Sequence, residues 1–133
     1  MANSLKEGLV NTEQVVVTEE LTAQKIGSGL LPVYATPMMI ALMENTCAKC
    51  AQPFLNKDEG TVGISVEIKH TRATPVGQTV VCHCRLVQID RRRLVFEVKC
   101  EDDLGEIGSG KHERFVIDNQ KFMQKIEESR KPV

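Results

Sequence analysis

A chain of 133 residues fits one domain with one substantial core. Its formal charge of −1 comes from 17 basic and 18 acidic residues, interspersed; with one Tyr, four Phe and no Trp, it lacks the electrostatic footprint and stacking surface of a nucleic-acid binder. The N-terminal Met1-Ala2-Asn3-Ser4-Leu5-Lys6-Glu7 has no apolar signal core, and no apolar run approaches the roughly 18 residues of a membrane span, so no membrane partner and a cytoplasmic location are expected.

The whole of 1–133 reads as one unit, with 1–23 as leader and first strand. Residues 1–12 resemble a loose lead-in to a β-branched strand at Glu13-Gln14-Val15-Val16-Val17-Thr18. Gly27-Ser28-Gly29 followed by Leu30-Leu31-Pro32 gives a hinge and an apolar tip, which can cover a site as a lid or simply connect. Thr36, a hydroxyl able to cap an orphan N–H, then Pro37, whose φ suits the first turn, mark a helix start. That helix runs to about Gln52, because Pro53 ends the hydrogen-bond ladder. Met38 to Met43 and Cys47, Ala48, Cys50 and Ala51 make most of its circumference apolar, which implies burial. Glu44 then stands on an apolar face, where a carboxylate is costly unless something uses it.

A turn at Asn56-Lys57-Asp58-Glu59-Gly60 precedes a strand from Val62 to Thr71. Strict alternation places Val62, Ile64, Val66, Ile68 and His70 on one face, and Gly63 with Ser65 on the other. Ala73-Thr74-Pro75-Val76-Gly77 turns into a strand from Thr79 to Ile89. Asp90-Arg91-Arg92-Arg93 turns into a third strand through Leu94, Phe96, Val98 and Cys100, and Asp102-Asp103-Leu104-Gly105 into a fourth from Glu106 to Ile117. Three hairpins in succession imply a meander. Asp118 opens a final helix to about Ser129 with Phe122, Met123 and Ile126 at helical spacing. One apolar helix and a long antiparallel sheet bury each other best if the sheet curls around the helix, an α+β hot-dog architecture. Exposed sheet edges favour pairing between copies, so a homodimer is expected, with a dimer of dimers as the larger alternative.

Thr36, Glu44 and His70 then point toward one inner region. A carboxylate can attack a carbonyl or activate water, an imidazole can move protons near neutral pH, and a hydroxyl beside helix N–H groups can orient a carboxylate or hold an oxyanion. Those are the groups an acyl-transfer site needs. Each also has a plain alternative: Thr36 as a cap, Glu44 reaching solvent at the polar edge of Asn45, Lys49 and Gln52, His70 as an ordinary core or rim histidine.

Specific blocks sharpen the choice. Val33-Tyr34-Ala35-Thr36, Leu42-Met43-Glu44, Ile68 to Gly77 and Glu106 to Arg114 resemble, at compatible spacing, the blocks of hot-dog thioesterases typified by the fluoroacetyl-CoA-specific thioesterase. The resemblance covers about Val33 to the C-terminus. It implies hydrolysis of a short acyl-CoA to free acid and CoA, with Glu44 as nucleophile or base, His70 as proton carrier and Thr36 positioning them. It also implies substrate contacts at Gly63 and Arg114, and no cofactor, CoA being part of the substrate. Where that family gates its pocket with aromatic residues, this chain carries Leu30 and Leu31, a departure that bears on selectivity for fluorine.

Other readings carry less. Cys47-Ala48-Lys49-Cys50 and Cys82-His83-Cys84 have ligand-like spacing, but in each case the thiols fall among apolar neighbours, so ordinary buried thiols and no metal or disulfide are expected. Arg91-Arg92-Arg93 is a solvated hairpin tip unless it lies near a pocket mouth, where it could meet CoA phosphates. A non-catalytic acyl-CoA or small-acid sensor would use the same pocket without needing an ionisable Glu and His. A hot-dog hydratase fits Thr36 and Glu44 on the helix less well.

Overall fold

The computed structural model describes residues 4–132. Its elements are β1 (Val10–Val16), α1 (Ala23–Ile26), α2 (Thr36–Ala51), β2 (Glu59–His70), β3 (Thr79–Asp90), β4 (Arg93–Asp102), β5 (Gly105–Asp118) and α3 (Asn119–Ser129), with 3-10 turns at Glu19–Leu21 and Gln52–Phe54. All five strands form one antiparallel sheet in the order β1-β3-β4-β5-β2, and α2 packs against every one of them. The expected sheet around a central helix is present.

The meander is shorter than alternation suggested. Only β3-β4-β5 are joined by hairpins; β2 lies at the far edge, paired with β5 from Glu59↔Asp118 to His70↔Gly108. Alternation identifies a strand, not its neighbour. Between His70 and Thr79 the chain must cross three strand spacings of about 4.8 Å each, which eight extended residues span easily. It is pinned on the way: Thr71 N–H donates to Ile107 O at 2.7 Å, Tyr34 N–H to Thr74 O at 2.9 Å, and Gly77 N–H to Val17 O at 2.8 Å.

A second correction concerns faces. The β2 register slips between Gly63 and Ser65, leaving Ile64 as a bulged residue. His70, Ile68 and Val66 pair with Gly108, Gly110 and His112, and beyond the bulge Gly63 pairs with Arg114 and Thr61 with Val116. Gly63 therefore joins the face of His70, while Val62 leaves it.

Burial on α2 is a single stripe of Met39, Leu42, Met43, Thr46, Cys47, Cys50 and Ala51, the spacing of one helix face. Ala41, Asn45 and Lys49 are exposed, and Glu44 sits half-buried at the border, so the helix is less enclosed than its composition implied. The leader is better held than expected: Ser4 N–H donates to Phe54 O at 2.9 Å, Gly8 N–H donates to Leu86 O at 2.7 Å, and β1 begins at Val10 rather than Glu13. Residues 1–3 of that leader lie outside the described residues. The tip at Leu30 and Leu31 is 89% and 65% exposed, on a segment closed by Ala23 N–H to Val33 O at 2.8 Å and Gln24 N–H to Leu31 O at 3.0 Å. On α3, Asp118 caps the Lys121 N–H at 3.0 Å as expected, although Met123 and Ile126 stay 53% and 39% exposed.

All five cysteines are free and buried. Burial pushes the Cys50 thiol up to about 12, far from a reactive thiolate. His83 turns away from Cys82 and Cys84, bonding Glu101 at 2.8 Å and Thr12 at 3.2 Å. Among the described residues no three His, Cys, Asp or Glu side chains converge as metal ligands.

Candidate active site

The N-terminus of α2 comes down on the end of β2. Ala35, not Thr36, is the capping residue, and it gives no side-chain cap. The Thr36 hydroxyl instead hydrogen-bonds His70 Nδ1 at 2.8 Å. The capping expectation fails because Thr36 is the first residue of the helix, one position past the cap, and its hydroxyl is turned to the imidazole. Tyr34 closes one side of the ring edge-on, with centroids 6.4 Å apart, and its hydroxyl donates to Met38 O at 3.1 Å. Burial holds the His70 pKa below its usual value, partly offset by the Arg72 main chain, so the ring is neutral at pH 7. His70 Nε2 is shielded and has no hydrogen-bond partner among the described residues. A pocket of about 280 Å³ opens here, lined by Thr36, His70, Arg72, Tyr34 and Ser28 among others.

Glu44 belongs to a different neighbourhood. It lies eight residues further along α2, about 12 Å at helical rise. Its carboxylate rests over Gly63: a Cβ there would stand 2.7 Å from Glu44 Oε2 and 3.2 Å from His112 Cε1. The missing side chain makes the seat. Arg114 Nη1 is 3.9 Å from the same Oε2, an ion pair too long for a hydrogen bond, with the Arg114 side chain 10% and the Glu44 side chain 42% exposed. Arg114 is fixed by Thr61, Nε donating to Oγ1 at 2.8 Å and Nη2 to the carbonyl at 3.0 Å, and by His112 Nε2, 3.1 Å from Nη1. Burial lowers the Arg114 pKa and Glu44 pulls it back up; a guanidinium stays charged regardless.

The five residues singled out from sequence are thus gathered into two groups, Thr36 with His70 and Glu44 with Gly63 and Arg114, rather than one. Helical rise separates them within a single chain. Sequence reasoning missed Thr61, Tyr34 and His112; the signal for His112 was the alternation Gly108, Gly110, His112, Arg114 along the inner side of β5. The arginine turn is placed by the fold at the other end of β2 from His70, where Arg93 pairs Glu113 at 3.1 Å and Arg92 approaches Glu59 at 3.8 Å. It is a paired, solvated tip in this chain. A larger hollow, about 680 Å³, lies on the outer sheet face, where the row Arg85, Glu97, Lys111 alternates in charge across three strands. All three side chains are exposed, and the row is a solvated face of alternating charge.

Comparison with known proteins identifies the family and the fold. The fluoroacetyl-CoA-specific thioesterase family model matches residues 17–120. The fluoroacetyl-CoA thioesterase of Streptantibioticus cattleyicolor is 43% identical over 94 residues, 71% of this chain and 68% of that protein. A solved variant of a fluoroacetyl-CoA-specific thioesterase in complex with fluoroacetate and CoA superposes with a TM-score of 0.84 at 35% identity, covering 89% of this chain and 99% of that one. A thioesterase superfamily member from Thermus thermophilus superposes at 0.87 with 29% identity, over 94% and 93% of the two chains. With residues 17–120 matched and its sheet and helix shared with these structures, the chain belongs to the fluoroacetyl-CoA-specific thioesterase family and is a hot-dog thioesterase.

Proposed function

We propose that this thioesterase hydrolyses short-chain acyl-CoA to the free acid and CoA, with Glu44, His70 and Thr36 as its catalytic residues and Gly63 and Arg114 contacting the acyl group. The observation that carries the reading is the seat of Glu44, a carboxylate held over a glycine and beside a buried guanidinium. Either the carboxylate attacks the thioester carbonyl, the carbon–sulfur bond breaks and the resulting acyl–Glu44 anhydride is hydrolysed by water to the free acid, or the carboxylate takes a proton from a water that attacks the carbonyl directly as the carbon–sulfur bond breaks. On both routes water supplies the proton that His70 passes to the departing thiolate. Thr36 holds His70 in place by its 2.8 Å hydrogen bond. No cofactor enters the reaction, and neither nucleic acid nor membrane is a partner; the site of action is the cytoplasm. Leu30 and Leu31 stand where the family carries aromatic gates, which makes selectivity for fluoroacetyl the open choice among short acyl groups.

The separation of the two groups supports a homodimer with composite sites. β2 is an edge strand with Ile64 and Val66 51% and 40% exposed, and its outer hydrogen-bonding edge is open to a second copy. Two identical strands pairing about a two-fold at Glu67 keep inner residues opposite inner residues and set the bulge of Gly63 and Ile64 opposite the partner's His70, so that His70 lies beside the partner's Glu44. Each site then takes Thr36 and His70 from one protomer and Glu44 and Arg114 from the other.

The test is loss of thioester absorbance over a panel of short and medium acyl-CoAs, fluoroacetyl-CoA included, for the wild type beside Glu44→Ala. Thiol reagents are avoided because the protein has five cysteines of its own. Turnover of acetyl- to butyryl-CoA that vanishes in a folded Glu44→Ala protein is expected. Normal turnover in that variant ends the mechanism, and binding without turnover makes the protein a sensor.

A further inference from the structure

His112 is 1% exposed, and the reaction outlined above does not use it. It lies on the inner side of β5, two residues before Arg114 and opposite Val66 of β2. Its Nδ1 is 2.8 Å from the carbonyl oxygen of Ser65, at the edge of the β2 bulge. A carbonyl only accepts, so Nδ1 carries the proton. In the neutral ring Nε2 is then an acceptor, and the group facing it at 3.1 Å is Arg114 Nη1, which only donates. One tautomer of the neutral ring satisfies both neighbours. A protonated ring would set N–H against N–H at Arg114.

The guanidinium has five N–H groups in a rigid fork. Thr61 takes the Nε proton and one on Nη2, and His112 takes one on Nη1, leaving a single N–H on each terminal nitrogen. Nη1 is also the atom nearest Glu44, at 3.9 Å. The two Thr61 bonds anchor one side of the fork. The contact that stops rotation about that anchor is the one to His112.

We propose that His112 is a positioning residue: by accepting from Nη1 it fixes the rotation of the Arg114 guanidinium and so aims its two remaining N–H groups at the acyl pocket. The proposal rests on the reading of Arg114 as an acyl-contacting residue. It ties the β2 bulge to the chemistry, since the Ser65 carbonyl that orients the ring is exposed to it by the slip in register that also puts Gly63 under Glu44. Burial, assisted by the charge of Arg114, keeps the ring in its neutral form against the opposing pull of the Ser65 carbonyl, Glu44 and Glu113.

Two substitutions separate aiming from mere filling of the core. A Gln side chain reaches as far as Nε2 and can keep an acceptor toward Arg114; an Asn reaches only as far as Nδ1 and loses it. The experiment measures kcat and KM for acetyl-CoA, and its dissociation constant by calorimetry, for H112Q, H112N, R114Q and H112N/R114Q, with thermal midpoints for each. H112N is expected to raise KM and the dissociation constant about tenfold, H112Q no more than about threefold, and H112N to add nothing once Arg114 is replaced. Equal losses in H112Q and H112N, or the same tenfold loss from H112N in the R114Q background, overturn it. If H112N does not fold, H112L, which fills the core without offering an acceptor to Nη1, replaces it in the same cycle with the same expected and overturning results. Failure of the thioesterase reading is separately visible as absent wild-type turnover, and the calorimetric arm still decides the role of His112 in that event.

Discussion

The two ends of the contact between α2 and β2 solve different problems with the same pair of elements. At the N-terminal end, Thr36 and His70 form a neutral pair at 2.8 Å, shielded by Tyr34, in which burial keeps the imidazole unprotonated. Toward the middle of α2, Glu44 and Arg114 are charged, 3.9 Å apart, and organised by a bulge, a glycine and two backbone carbonyls. One end is a neutral hydrogen-bonded pair and the other a charged one. Their separation, about 12 Å along one helix, teaches that the two groups do not meet within a single copy.

The sharpest way to break this comparison is to separate the two ends on different chains. Glu44→Ala and His70→Ala homodimers are each expected to lose at least about a thousandfold and a hundredfold in kcat. Mixed dimers purified with two affinity tags are expected to recover about half the wild-type activity, because one composite site then holds both intact residues. Mixed dimers as inactive as either parent would place the site within one chain. Next in size is Gly63→Ala. The added methyl would displace the Glu44 carboxylate, and a shift of that kind costs about a hundredfold in kcat with little change in thermal midpoint; activity within a factor of two would show that the seat does not matter.

Thr36→Val is a smaller change, since it removes one hydrogen bond and no helix cap, Thr36 capping none of the helix N–H groups. About a tenfold fall in kcat at unchanged stability is expected, and a fall in stability instead would restore the capping role. The smallest effect is on folding. His70 and His112 both have folded pKa values below 6.5, burial being the first cause in each. Between those depressed values and 6.5 the unfolded chain binds more protons than the folded one, so stability rises with pH through that window and falls as the solution is acidified through it. Urea unfolding at pH 7.5 and 5.5 should show the loss, reduced in H112Q; equal midpoints at both pH values would mean the rings titrate normally.

The sequence carried the helix start, the isolated Glu44 and the inward His70, because capping residues and local periodicity are written in neighbouring positions. It did not carry the partner of β2, since alternation is identical whether a strand pairs with the next one or crosses the sheet. Nor did it carry the bulge at Ile64. One extra residue inverts every face assignment beyond it, and so Gly63, assigned by alternation to the side away from His70, lies on the same side. Resemblance had marked Gly63 and Arg114; that a carboxylate is seated over the missing side chain of Gly63, beside Arg114, required the fold. His112 was hidden for a third reason: a histidine two residues from an arginine on a strand looks like packing until the ring nitrogens have partners.

The crossing of β2 to the far edge also sets an order of events in folding. β3, β4 and β5 can zip through short hairpins, whereas the β2 ladder joins residues from 38 apart at His70↔Gly108 to 59 apart at Glu59↔Asp118. Long-range closure waits on loop entropy that local hairpins do not face. A nascent chain therefore acquires its central hairpins before it can seat Glu44, and catalytic competence arrives only when β5 has been synthesised and β2 docked. Pulse-labelled hydrogen exchange should find the amides of the β3–β4 hairpin protected before those of β2; simultaneous protection would mean that the ladders close together.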